Sequence, residues 1–236
     1  MLITRRTLLS MGSGLAGHTL LGGRRHPTLH TRAEWGAMPP KIRATVLHHG
    51  PRFIVVHHTA TPNTTDLSFA AACRLSRGIQ RYHMRHNHWD DMGEHFTVGR
   101  GGYVMEGRNH TLPAIQHDNH VVGAHVRNHN NESLGIETEG TYMTMLPTDE
   151  QMAALVRLIS WLCSVYALDP ETCVLGHRDL NHTSCPGDEF YAFLPELRRR
   201  VAGRLGRPVR RQLRVGPVGP SGLPGPAHMY DHGPAV

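Results

Sequence analysis

No stretch of this 236-residue chain is apolar for long enough to cross a membrane as a helix, which excludes a helical membrane protein. Cysteine is scarce. Cys73, Cys163, Cys173 and Cys185 show no Cys-x-x-Cys spacing, so the chain carries neither a disulfide scaffold nor a zinc finger of that type. In an exported protein one pair among Cys73, Cys163 and Cys173 could be oxidised, although a buried free thiol is the commoner state. Acid is absent from the first 32 residues, which hold five Arg, and is reduced to Asp231 across residues 198–236, which hold eight. The middle carries 12 basic and 18 acidic groups, so the net charge of +6 belongs to the two ends. An acidic body excludes the positively charged face that a nucleic-acid enzyme turns to phosphates. Length limits the chain to one core with tails, not two full domains.

What is present divides into three parts. Thr4-Arg5-Arg6-Thr7-Leu8-Leu9-Ser10, followed by a mildly apolar, Gly-rich stretch to Gly23, has the layout of a twin-arginine export signal, so residues 1–27 are expected to be a leader and the protein to be exported. Residues 28–202 alternate strand and helix signals. Phe53 to Thr59 reads as a buried strand closed by Thr61-Pro62-Asn63, and Asp66 to Arg85 as a helix. Short strands follow at His95–Val98 and Tyr103–Glu106 around Gly101-Gly102, then at Ser133–Glu139. Thr148 and Gln151 make a capping box for a helix to Ala167, Cys173–Gly176 is a strand, and Glu189–Val201 a last helix. The expected fold is α/β, a single domain with a central mixed β-sheet flanked by helices. Six Gly and six Pro in the last 31 residues make 203–236 a disordered tail. Its glycines 216, 219, 222 and 225 keep a collagen-like spacing, but four triplets are too few to join three chains, and a monomer is expected.

Histidine is abundant, and among twenty of them only those tied to strand ends and to other ligand types carry weight. His57 ends the buried strand, His177 follows Val174-Leu175-Gly176, and Cys185 lies eight residues later. Two imidazoles and one thiolate on loops at strand ends would leave a zinc ion's fourth tetrahedral position open, the catalytic arrangement. His58 falls on the opposite face of its strand and reads as a packed core histidine.

Seven stretches then occur in order: Ala33-Glu34-Trp35-Gly36-Ala37, Val56-His57-His58-Thr59-Ala60, Glu106-Gly107-Arg108, Gly123-Ala124-His125, Ser133-Leu134-Gly135-Ile136-Glu137, Gly176-His177-Arg178-Asp179 and Thr183-Ser184-Cys185-Pro186-Gly187. Over residues 31–200 the chain resembles the peptidoglycan recognition protein family, which includes the type-2 N-acetylmuramoyl-L-alanine amidases. The resemblance implies a substrate groove over one zinc held by His57, His177 and Cys185, and hydrolysis of the amide between N-acetylmuramic acid and L-alanine. Family members that only bind peptidoglycan typically lack the cysteine, so Cys185 favours catalysis. In Asp91-Met92-Gly93-Glu94-His95-Phe96, Glu94 stands where the family amidases often have tyrosine. It is a candidate general base, with strand alternation leaving His95 as the other group that could face the site. Thr183 matches a position that helps stabilise the oxyanion. Glu137 and Glu139 share a strand face and read as support or groove lining. Arg178, with Asp179, is expected to orient His177 and bracket the cleft, and Arg178, His125 and Asn128 to touch substrate. The partner is thus peptidoglycan or a muropeptide, not nucleic acid. A non-catalytic binding module would keep the groove motifs but not the intact ligand set. An amidase acting on soluble muropeptides or another amide stays open because of Glu94.

Overall fold

The computed structural model describes residues 27–208, 220–226 and 230, so the expected leader lies, but for Pro27, outside the described residues. Strand β3 (Phe53–His58) forms where β-branched and aromatic side chains run together; parallel strands β7 (Ser133–Thr138) and β8 (Val174–Gly176) pair with its two edges, and its side chains are buried on both faces of the sheet. Beyond β7 come β4 (Phe96–Val98), β5 (Val104–Glu106) and β1 (Leu29–His30). The six-stranded order is β1-β5-β4-β7-β3-β8, and only the β4–β5 hairpin is antiparallel. A second, two-stranded sheet pairs β2 (Val46–Leu47) with β6 (His120–Val121). The mixed sheet with flanking helices agrees with the expected fold.

Strand alternation gives the large sheet two different faces. On one, Ile54, Val56, Phe96, Val98, Leu134 and Ile136 pack under helices α4 (Asp149–Val165) and α6 (Asp188–Arg204), meeting Leu155, Leu158, Leu162, Phe190 and Leu197 in the main core. On the other, the register aligns Met105, Thr97, Glu137 and His57 across four strands. Helix α2 (Phe69–Arg85) covers the apolar end of that row, where Ala72 and Cys73 pack on Met105 and on Trp35 of α1 (Arg32–Trp35). The polar end of the row is left for chemistry.

Helix ends follow local signals. Ser68 accepts from the Ala71 amide and starts α2 three residues later than expected, with Asp66 holding the Ser68 amide instead. Thr148 caps the Gln151 amide at 3.2 Å, but the second half of the expected capping box is absent. The Gln151 amide turns inward and donates to the carbonyls of Val98 and Glu139, buried acceptors at strand ends that need a donor more than an exposed helix start does. Helices α3 (Thr111–Ile115) and α5 (Pro170–Cys173), like α1, β1, β2 and β6, have five residues or fewer, too few for a period to show. All four cysteines are buried free thiols, with Cys163 and Cys173 sulfurs 3.7 Å apart.

Helix α6 runs to Arg204, two residues past the expected domain end. Of the expected tail, Pro220–Pro226 and Tyr230 lie against the domain: the Ser184 amide donates to the Pro224 carbonyl at 2.8 Å, and Tyr230 packs on Leu75, Ile79 and Met92. Gly222 has φ +69°, a left-handed conformation outside the polyproline geometry that a collagen triplet requires.

Candidate metal centre

The row that ends at His57 on β3 continues past β8, because Val56 pairs with Gly176 and His177 is the next residue of that strand's chain. A single turn of 3₁₀ helix, His177–Asp179, begins there. The His57 and His177 rings lie 4.6 Å apart, and the loop that follows returns Cys185 with its sulfur 3.7 Å from His57 Nδ1. Each of the three residues offers a ligand atom within 4.8 Å of the others, and all three are fully buried. Tetrahedral bonds of about 2.0–2.3 Å place ligand atoms about 3.3–3.6 Å apart, so the cluster fits a zinc ion with little closure. The donor set, borderline nitrogen with one soft thiolate, suits the same metal.

The hydrogen bonds behind the cluster decide which nitrogens it presents. Asn181 Oδ1, an acceptor, lies 3.0 Å from His177 Nε2, so that nitrogen carries the proton and the Nδ1 lone pair remains for a metal. His57 turns Nδ1 to the thiol and Nε2 to His125 Nδ1, 3.0 Å away. His125 is buried at 1 % exposure. Its Nδ1 is spent on His57, so it backs a ligand, a role other than the expected substrate contact. His95 stands behind it, ring centroids 5.5 Å apart. His95 Nδ1 accepts from the Gly135 amide, so its Nε2 donates to the Val121 carbonyl; both nitrogens are used in tying strands, and His95 does not enter the site. Replacing His125 by alanine is expected to weaken zinc binding 10–100-fold while the protein stays folded, as loss of a ligand's hydrogen-bond partner does elsewhere; competition with a chromophoric chelator measures it.

Burial, and then the neighbouring His125, hold His95 well below the usual imidazole range. The folded state thus binds fewer protons there than the unfolded chain. The resulting stability is complete above an unfolded pKa of about 6.5 and is lost below it, at up to about 1.4 kcal/mol per pH unit. Burial raises Glu139, which works in the opposite direction in the carboxylate range. Denaturant midpoints are therefore expected to drop between pH 7.5 and 5.5; equal midpoints would show that His95 is protonated when folded.

The remaining expected site residues divide. Arg178 is spent inside the protein: its amide donates to the Cys185 carbonyl, and its guanidinium donates to the Ser184 carbonyl, pairs with Asp188 at 2.8 Å and lies over the Tyr191 ring. It locks the His177 and Cys185 loops together, a positioning role in place of the expected substrate contact. Thr183 is buried and accepts from the Cys185 amide at 3.2 Å. Glu94 is buried with Oε2 4.0 Å from His83 Nδ1. Asn128, exposed and left-handed at φ +68°, sits on the turn after His125. Asn181 was not singled out from the sequence; its spacing of four residues after His177 across a turn is the one local sign of it. Glu137, the neighbour of His57 in the row, is fully buried and closer to the centre's strand than its reading as support implies.

Residues 44–188, which contain all three candidate ligands, match the family model described as N-acetylmuramoyl-L-alanine amidase. The chain belongs to that family. Among its relatives, N-acetylmuramoyl-L-alanine amidase of Sus scrofa is 36% identical over 194 residues, covering 77% of this chain and 31% of the relative. The chain thus spans about a third of the length of the mammalian amidases it matches. Peptidoglycan-recognition protein LB of Drosophila melanogaster is 30% identical over 185 residues, 78% of this chain and 70% of that one. A solved structure of a Drosophila mutant of the same recognition protein in complex with tracheal cytotoxin superposes with a TM-score of 0.59 at 31% identity, covering 70% of this chain and 90% of that one. Within this amidase family the mixed sheet is the shared framework, and in this chain it brings the His57–His177–Cys185 cluster together. No helix among the described residues is long and apolar enough to cross a membrane.

Proposed function

We propose that this amidase-family chain is a zinc enzyme that hydrolyses the amide between N-acetylmuramic acid and L-alanine in peptidoglycan, acting outside the cytoplasm after export by the signal around Arg5 and Arg6. The observation that carries the reading is the meeting of His57, His177 and Cys185, three ligands with no fourth among the described residues, beside the ends of parallel strands. When bound, zinc supplies a Lewis acid for the scissile carbonyl and acidifies the attacking water. The chain's own residues do the rest. His125 and Asn181 hold the ligand imidazoles, and Arg178 fixes the loops that carry His177 and Cys185. Glu137, in register with His57, accepts the water's proton and returns it to the departing amine; Glu94 is the second carboxylate able to do so. Thr183 donates a hydrogen bond from its hydroxyl to the developing oxyanion. His125 is a positioning residue in this scheme, and Asn128, exposed beside it, contacts substrate.

The relative captured with tracheal cytotoxin supports a muropeptide as the ligand class for this fold. Incubating zinc-loaded protein with purified peptidoglycan tests the proposal. New alanine amino termini without new reducing sugar ends are expected; reducing ends, or no release, would overturn it.

A further inference from the structure

The candidate centre has to admit a glycopeptide, yet His57, His177, Cys185, Glu94 and Glu137 are each 0 % exposed. Two parts of the C-terminal segment meet the walls around them. On one side Pro220–Pro226 runs along the loop that carries Cys185. The Ser184 amide, adjacent to Cys185, donates to the Pro224 carbonyl at 2.8 Å, and the Ser221 amide donates to Asp188 Oδ2 at 3.0 Å, on the carboxylate that also pairs with Arg178. On the other side stands Tyr230. Its carbonyl accepts from His83 Nε2 at 3.3 Å; the Nδ1 of that ring accepts from the Gly93 amide and lies 4.0 Å from the Glu94 carboxylate. The Tyr230 side chain packs on Leu75, Ile79 and Met92 and forms one wall of a cavity of about 370 Å³ that Thr61, Asp66, Arg74 and Glu139 also line.

These contacts are those of a bound peptide. A main-chain carbonyl takes a donor from the ligand-bearing loop, a main-chain amide takes a carboxylate, and one aromatic side chain fills an apolar site. The prolines limit the conformational freedom that docking removes, and Gly222 supplies the left-handed turn the path needs.

We propose that Pro220–Pro226 and Tyr230 are a built-in occupant of the substrate groove, an intramolecular peptide that muropeptide must displace. The inference rests on the groove being the substrate site proposed above. An occupant present in nine molecules of ten raises the apparent KM tenfold and leaves kcat unchanged, because only the open fraction binds.

The test compares the zinc-loaded full chain with its Ser221→Pro/Tyr230→Ser double variant, which removes one amide donor and one apolar anchor and replaces no residue of the proposed machinery, the Arg178–Asp188 pair being kept. Two quantities are read: hydrogen exchange of the Ser184 amide, and KM and kcat for a soluble muramyl tetrapeptide. The variant is expected to exchange Ser184 faster and to show a KM about tenfold lower at unchanged kcat. Unchanged exchange overturns the docking, and faster exchange with unchanged KM overturns its place over the groove. If neither protein cleaves the muropeptide, the amidase reading falls, and equilibrium binding of the same compound decides the tail separately. Tighter binding by the variant sustains the occupant; equal binding, or none, overturns it.

Discussion

Cys185→Ala is expected to abolish stem-peptide release, by at least about a thousandfold, and to leave the purified protein with little or no zinc. The expectation follows from the ligand count. Three protein atoms is the smallest set that holds a catalytic zinc, so losing one removes both the charge that offsets the dication and the geometry that keeps it. The thiolate is the anionic member, since both imidazoles bind neutral. The change should not unfold the domain, because the main core of α4, α6 and the sheet does not include Cys185. Metal analysis, far-UV circular dichroism and peptide release from one preparation check the three statements together. Full activity in the metal-free variant would remove zinc from the account; retained zinc without activity would make Cys185 something other than a ligand.

Glu137→Gln should lower kcat by 10²–10⁴ while zinc stays stoichiometric. Glutamine keeps the shape and takes away the proton acceptor. Glu137 is chosen because parallel register puts residues 57 and 137 side by side on one face of the sheet, whereas Glu94 faces His83 across 4.0 Å. Glu94→Gln is the control in this pair. If it, and not Glu137→Gln, costs the larger factor, the base is Glu94 and Glu137 is support. The pH profile adds a second reading, because the acidic limb of kcat disappears only in the variant that has lost the base.

The parts of this protein that could be read from sequence are those with local signals. Strand β3 shows as an unbroken apolar run, and α4 as a long amphipathic pattern behind Thr148. The three ligands stand out because zinc needs unusual residue types at strand ends. The inner face of Gln151 was not legible, since the competing acceptors, Val98 and Glu139, lie in other elements. Nor was the His57–His125 contact, which joins residues 68 apart and exists only after β3 and the loop before β7 have met. The same holds for Arg178: a charged side chain beside a ligand looks like a substrate contact until Ser184 and Asp188 are seen to occupy it. The tail is a different case. Composition reports that a segment cannot build a core, but a peptide laid on an existing surface is held by main-chain groups such as the Pro224 carbonyl, which every sequence has.

The row across the sheet also sets an order in time. His57 is synthesised long before His177 and Cys185, and strand β3 acquires both of its parallel neighbours only after the chain has been made as far as Gly176. Contacts so distant in sequence close late and repay their loop entropy only when the sheet is complete. A metal ion arriving earlier meets scattered imidazoles with no common point, so the centre cannot exist before β3 and β8 have paired, and it is lost when β8 detaches.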